Sequence, residues 1–161
     1  VDCDKKRIES LGLGECPICE LGLPEMLARS MHEGRLEFSI STPQAGGKSE
    51  IIFTCVGTRP GKNGRPNISQ VKSAAKEIGH EMNGHKIIVN KSTVPVGTGG
   101  FVRRTIETTK CGNGTSDVVS NPGFLREGQA IPDTLQPDRI IIGTSSDTSP
   151  SRLLELYRPL G

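Results

Sequence analysis

The chain is 161 residues long, room for one domain of ordinary size. Apolar residues make up 33% and aromatics 3%, with no Trp; the 20 glycines (20/161, about 12%) lift the apolar share to about 45%, so an aliphatic, glycine-rich core is expected. Twenty basic and 18 acidic residues leave a net +2 with the signs interleaved, which disfavours a nucleic-acid binder with its basic stripe and stacking aromatics; no apolar run nears the ~20 residues of a membrane span.

In chain order, the charged opening Val1-Asp2-Cys3-Asp4 does not read as a secretory leader. Asp4 stands as N-cap to a helix over residues 5–11, with Ile8 and Leu11 three apart. Pro24 suits the first turn of a second helix over 23–33, whose Met26, Leu27 and Met31 fall on one stripe. Alternation over 36–40 predicts a short half-exposed strand. The β-branched run 50–56 predicts a buried strand, followed by a long Gly/Pro/Arg loop over 57–66. Ile68, Val71, Ala74, Ala75, Ile78 and Met82 then recur at helical spacing behind Asn67 as N-cap, the clearest amphipathic helix in the chain. Further strands are expected over 86–91, 116–120 and 139–143, helices over 101–109 and 151–157, and a polar loop over 121–138. Continuous apolar strands alternating with helices predict a parallel sheet covered on both faces, a doubly wound α/β fold.

The five cysteines are an odd number, against a closed disulfide framework. Cys16-Pro-Ile-Cys19 has the spacing of a zinc knuckle or redox pair, but no second pair completes four ligands. Free thiols in a reducing compartment, the cytoplasm, are the simpler reading, and no metal site is expected.

Ligands in such sheets bind outside the carboxyl ends of the strands. Asp2, the Val56-Gly57-Thr58 turn, Ser92-Thr93, Asn121 and Gly143-Thr144 stand at those ends. Asp2 reads either as an acceptor for both ribose hydroxyls of a dinucleotide or as an acid complementing a helix dipole. Thr93 reads either as part of an anion- or ribose-binding turn or as a plain helix cap ahead of Pro95. Arg126, Glu127 and Arg139 are surface charges by default, and a G-x-G-x-x-G fingerprint is missing.

Five blocks, in order, resemble the UDP-glucose/GDP-mannose dehydrogenase family: Val1-Asp2-Cys3-Asp4; Glu20-Leu21-Gly22-Leu23; Val56-Gly57-Thr58-Arg59-Pro60; KSTVPVGT over 91–98; and 120–127 together with 138–143. The resemblance implies an NAD-dependent oxidoreductase that takes a nucleotide sugar, UDP-glucose first among its candidates, from the C6 alcohol to the carboxylate through an aldehyde and a cysteine thioester. It implies a cytoplasmic homo-oligomer in polysaccharide biosynthesis. Carried over by position, Asp2 matches the adenosine-ribose ligand and Arg7 its neighbour, and Val56, Gly57 and Thr58 match the cofactor-contacting turn. Ser92 and Thr93 match the nicotinamide end, with Thr93 the threonine of water positioning or proton transfer. Phe124, Leu125, Arg126 and Glu127 match the loop that holds the nucleotide sugar. On this resemblance residues 1–161 are a partial N-terminal NAD-binding domain that starts at its second strand, without the first strand and glycine loop. Gly123 stands where the family pattern N-P-E-F-L has an acid–base glutamate. The family's catalytic cysteine and lysine belong to later segments, and Cys111 lacks their context.

Overall fold

The computed structural model describes residues 1–61 and 64–160. Its elements are α1 (Lys5–Gly12), α2 (Leu23–His32), α3 (Thr42–Lys48), β1 (Ile51–Thr54), α4 (Ser69–His80), β2 (His85–Asn90), α5 (Thr98–Thr109), β3 (Thr115–Ser120), α6 (Ala130–Leu135) and α7 (Ser149–Tyr157). The chain divides into two compact units. One holds Val1–Ala45, Phe124–Asp138 and Leu160; the other holds Gly46–Gly123 and Arg139–Pro159.

The second unit carries the sheet. Its strands are parallel in the order β1-β2-β3, with Thr54 opposite Asn90 and Asn90 opposite Ser120 at their carboxyl ends. Both faces are covered. Val71, Ala75 and Ile78 of α4 and Val102 and Ile106 of α5 pack with Met82 against Ile88 and Val118. On the other face Leu153 of α7 packs against Ile87, Val89 and Val119. Strands buried on both sides have to be apolar throughout, which is why 86–91 reads as a continuous run. The two crossover helices meet closely because Gly79 has no side chain. A methyl there would overlap Thr109 Oγ1 and come within 3.1 Å of the Ile106 carbonyl oxygen. The α/β sheet with helices on both faces is the doubly wound architecture expected.

The first unit is built differently. Asp4 caps α1 as the sequence predicts, its carboxylate accepting from the Lys6 and Arg7 backbone N–H groups. Pro24 lies in the first turn of α2, also as predicted. No apolar residue of this unit is fully buried among the described residues.

Several expectations are corrected. Residues 36–40 form no strand: one backbone bond, from Asp2 N–H to the Ser39 carbonyl at 3.1 Å, replaces the ladder a strand needs. Residues 139–143 form no strand either. Only Gly143 pairs, in an isolated antiparallel bridge with Ser120 whose two bonds are both 2.8 Å, and Ile140 and Ile141 stay partly open to solvent. The supposed polar loop 121–138 contains α6. Helix α3 is an addition, hidden by Gly46 and Gly47, though Ser41 and Pro43 are start signals: Ser41 Oγ accepts from the Gln44 N–H at 3.3 Å. The N-cap of α4 is Ile68, one residue after Asn67, whose Oδ1 accepts from the Ser69 N–H at 2.9 Å. Helix α5 begins at Thr98 behind Gly97, which sits at φ 88°, so Thr93 is not its cap. Within the expected loop 57–66, positions 62 and 63 lie outside the described residues.

Candidate functional site

The predicted site residues fall into both units. In the sheet unit, the turn after β1 and the loop after β2 are stitched together. Ser92 Oγ donates to the Val56 carbonyl at 2.7 Å, and Thr58 Oγ1 donates to the Thr93 carbonyl at 2.8 Å. The Gly57 N–H donates to Gln70 Oε1 on α4 at 2.9 Å. Val56, Gly57, Thr58, Ser92 and Thr93 are therefore one connected rim at the carboxyl ends of β1 and β2.

Beside this rim lies a cleft of about 350 Å³, lined by Asn90, Ser92 to Gly99, Ser120 and Pro122. Its walls are partly apolar, from Val94, Pro95 and the fully exposed Val96. One end is the first turn of α5, whose cap Gly97 supplies no side-chain bond and whose next residues, Thr98, Gly99 and Gly100, bring only one hydroxyl, engaged with the Pro95 carbonyl at 2.7 Å. Helix N–H groups without a side-chain cap, at the positive end of the dipole, suit an oxygen acceptor. Asn90, which lines the cleft, is 2% exposed, and its Nδ2 is buried with no hydrogen-bond partner among the described residues.

Asn121, at the end of β3, is a hub. Its backbone N–H donates to the Asn90 carbonyl at 2.9 Å and its Nδ2 to the Ile141 carbonyl at 2.7 Å. Its Oδ1 accepts from Tyr157 and from Lys91 Nζ. Burial pushes the Tyr157 phenol up, keeping it a neutral donor. Asn121 thus fixes the loop after β3 from four directions, and Tyr157 and Lys91 are supports that sequence reasoning missed because they meet only in three dimensions.

In the other unit, Asp2 and Arg7 are brought together. Asp2 Oδ1 accepts from the Asp4 N–H at 2.9 Å and Oδ2 from Arg7 Nη1 at 2.7 Å. The Asp4 N–H first, and then Arg7, hold the Asp2 carboxyl below the usual carboxylate range. It is an anion whose orientation is set from two sides while its side chain remains partly open. Asp4, not Asp2, is the side chain that caps α1.

The same unit holds Phe124, Leu125, Arg126 and Glu127, all exposed. Arg126 is committed within its own loop: its backbone N–H, Nε and Nη2 donate to Asp133 at 2.8, 3.1 and 2.6 Å. The Arg126 side chain and then its N–H hold Asp133 below its ordinary range. Glu20 closes the loop from elsewhere, its oxygens accepting from the Gly128 N–H at 2.7 Å and the Ala130 N–H at 3.1 Å. Neither Asp133 nor Glu20 carries a local sequence signal for these partners, except that an acid in the first turn of α6 points to Asp133.

No group of three or more His, Cys, Asp or Glu among the described residues is placed to hold a metal ion. No helix there is long and apolar enough to cross a membrane.

Three parallel strands, helices on both faces and a cleft outside the carboxyl ends define a Rossmann-like nucleotide-binding domain. The family model for the UDP-glucose/GDP-mannose dehydrogenase family, NAD binding domain, matches residues 1–161, and the chain belongs to that family. It is 44% identical over 158 residues to UDP-glucose 6-dehydrogenase TuaD of Bacillus subtilis, covering 98% of this chain and 34% of the relative. Identity to the UDP-glucose 6-dehydrogenase of Rhizobium meliloti is 43%, over 99% of this chain and 37% of the relative. Among solved structures, a UDP-glucose dehydrogenase from Pyrobaculum islandicum superposes with a TM-score of 0.94 at 36% identity, over 98% of this chain and 37% of that one. A GDP-mannose dehydrogenase from Pseudomonas aeruginosa gives 0.93 at 32% identity, over 98% and 38%. The chain spans about a third of the length of these relatives.

The family's domain is NAD-binding, and the residues present fit parts of that cofactor. The orphaned Asn90 Nδ2 and the uncapped first turn of α5 offer donors to an amide or ribose oxygen in a partly apolar cleft. The oriented Asp2 carboxylate offers acceptors to ribose hydroxyls.

Proposed function

We propose that this chain is the cofactor-binding part of an NAD-dependent dehydrogenase that oxidises a nucleotide sugar, with UDP-glucose converted to UDP-glucuronate. The carrying observation is the match of the family's NAD-binding-domain model to residues 1–161. When bound, NAD supplies a hydride-accepting ring. In this reading Asp2 accepts from the adenosine ribose with Arg7 beside it, and Val56, Gly57 and Thr58 border the cofactor. Ser92 and Thr93 flank the nicotinamide end, where the Thr93 hydroxyl orients water or passes a proton. Phe124, Leu125, Arg126 and Glu127 present the loop for the nucleotide sugar, Glu127 with its exposed carboxylate. The whole protein is then a cytoplasmic homo-oligomer. Support comes from the stitching of the Val56–Thr58 turn to Ser92 and Thr93, which makes one rim of residues assigned to one ligand.

Thermal unfolding of the chain with millimolar NAD+, then with UDP-glucose, tests this. A ligand at 100 times its Kd stabilises by ~2.7 kcal/mol, which raises Tm by several degrees. A cooperative melt indifferent to both ligands overturns the proposal.

Gly123 favours a second reading, a nucleotide-binding module without catalysis, because glycine brings no group for acid–base work. Residues 1–161 exchanged for the matching segment of the Bacillus subtilis relative, with and without Gly123→Glu, decide between the two. Turnover only with the substitution supports the second reading; equal turnover removes it.

A further inference from the structure

We propose that Glu20 is a positioning residue for nucleotide-sugar binding. Its carboxylate fixes the backbone of the loop that presents Phe124 to Glu127, through two peptide N–H groups and without touching the ligand. The ligand clause rests on the reading of that loop given above; the clamp itself rests on geometry.

Both Glu20 oxygens are used, one on the Gly128 N–H at 2.7 Å and one on the Ala130 N–H at 3.1 Å, across 108 and 110 residues of chain. Helix α6 begins at Ala130, and its own N-cap, Gln129, makes no side-chain cap bond. The first N–H groups of a helix need acceptors from outside the helix. Here the acceptor comes from a distant segment and carries a full negative charge, which makes each bond about twice as strong as a neutral one. The far side of the loop is closed by Arg126 on Asp133. A turn bond from the Gln129 N–H to the Arg126 carbonyl, 3.0 Å, joins the two clamps.

The residues that the loop presents are not held by a buried core. Phe124 and Leu125 are more than half exposed, and the unit buries no apolar residue fully among those described. A loop held by an apolar core keeps its shape when one polar contact is lost. Here the Glu20 and Asp133 carboxylates make directed contacts to the loop backbone, and losing one is expected to shift the loop. Glu20 therefore couples a segment outside the loop to the position of Glu127.

The test uses the 161-residue chain, with Glu20→Ala, the isosteric Glu20→Gln and Glu15→Ala as a control. Amide hydrogen exchange at Gly128 and Ala130 is read by NMR, and affinities for UDP-glucose and NAD+ by calorimetry. Loss of a charge-assisted bond should weaken UDP-glucose binding about tenfold or more in Glu20→Ala and speed both amides by a similar factor. Glu20→Gln, with one acceptor left, should fall between. NAD+ affinity should hold, Tm should fall by no more than the few degrees of a lost helix cap, and formate should restore part of the Glu20→Ala loss. Unchanged exchange and affinity overturn the proposal. Parallel loss of Tm and of both affinities also overturns it, since Glu20 would then serve folding alone. A wild-type chain that binds NAD+ but not UDP-glucose overturns the nucleotide-sugar reading, and the exchange data then decide the clamp by themselves.

Discussion

The two units solve the same problem with different interactions. The sheet unit has Ile88, Val89, Val119, Ile106 and Leu153 at 0% exposure, in two clusters on either side of three strands. The other unit buries no apolar residue fully among the described residues and carries the Asp4 cap, the Asp2–Arg7 pair, the Arg126–Asp133 fork and the Glu20 contacts. Apolar burial is non-directional and tolerates small shifts, so it builds a platform. Hydrogen bonds fix angles, so they suit a surface that must present groups to a ligand. The difference teaches that the sheet unit sets its candidate rim on an apolar platform while the other unit orients its candidate residues through directed polar contacts, and separate substitutions should reach each.

The largest expected effect is in the platform. Ile106→Ala should cost ~2–5 kcal/mol in chemical denaturation, by lost transfer energy and the cavity left behind. The matching truncation of a 93% exposed residue in the other unit, Leu21→Ala, should stay within ~0.5 kcal/mol. Equal costs would break the comparison.

Next comes Asp117, the main polar anchor of the platform. Its Oδ2 accepts from Ser146 and Ser149 at 2.5 Å each, tying β3 to the start of α7. Burial alone would raise its pKa, but the two hydroxyls, with His85 and Arg103 nearby, leave it below the ordinary range. A depressed carboxylate stabilises fully above its unfolded pKa, ~3.9, and the contribution is lost as pH falls through the folded value. Asp117→Asn should therefore cost ~1.5–3 kcal/mol at neutral pH. The gap from the parent should close in urea titrations run below about pH 4; a gap independent of pH would assign the effect to shape and not charge.

Asp4→Ala removes the acceptor for the Lys6 and Arg7 N–H groups and should cost ~1 kcal/mol, seen as loss of helical ellipticity and a small fall in Tm. Asp2→Asn should be smallest in stability, under ~1 kcal/mol for an exposed pair. On the proposed reading of Asp2 as a ribose acceptor, it should nevertheless weaken NAD+ binding about tenfold in calorimetry, as expected for one charge-assisted bond lost. That opposition of small stability change and clear affinity change is the sharpest check on the division between the units.

Legibility in the sequence follows the same division. The run at 86–91 was readable because burial on both faces demands apolar residues throughout, and the stripe from Ile68 to Met82 because a helix with one buried face imposes a period. The run at 50–56 forms a strand as expected but not a buried one, since β1 covers only Ile51–Thr54, is half-buried and leaves Phe53 40% exposed. Asp4 was readable because a cap bonds its own neighbours. The run 139–143 misled: its isoleucines have strand composition, yet only Gly143 finds a partner on β3. Residues 36–40 misled for the same reason, since alternation gives a strand only where a second strand runs beside it. In the candidate site, Thr58, Ser92 and Thr93 could be placed at the carboxyl ends of β1 and β2 because strand ends are predictable, whereas Asp2, expected at a strand end too, follows no strand among the described residues. Glu20, Asp133 and the Asn90, Asn121, Lys91 and Tyr157 group carried no local signal for their partners.

The sequence by itself determined the α/β class, the succession β1, α4, β2, α5, β3 and α7 in the sheet unit though with a strand too many at 139–143, the N-cap of α1 and, through its motif blocks, the family. These depend on neighbours within a turn or two, or on residues quoted in order. Only the tertiary structure decided which apolar runs pair, where the cleft beside Ser92 and Thr93 opens, and that Glu20 reaches residues 128 and 130. Those contacts join positions far apart in the chain, and a side chain bonds whatever the fold brings within about 3 Å of it, which spacing along the sequence does not encode.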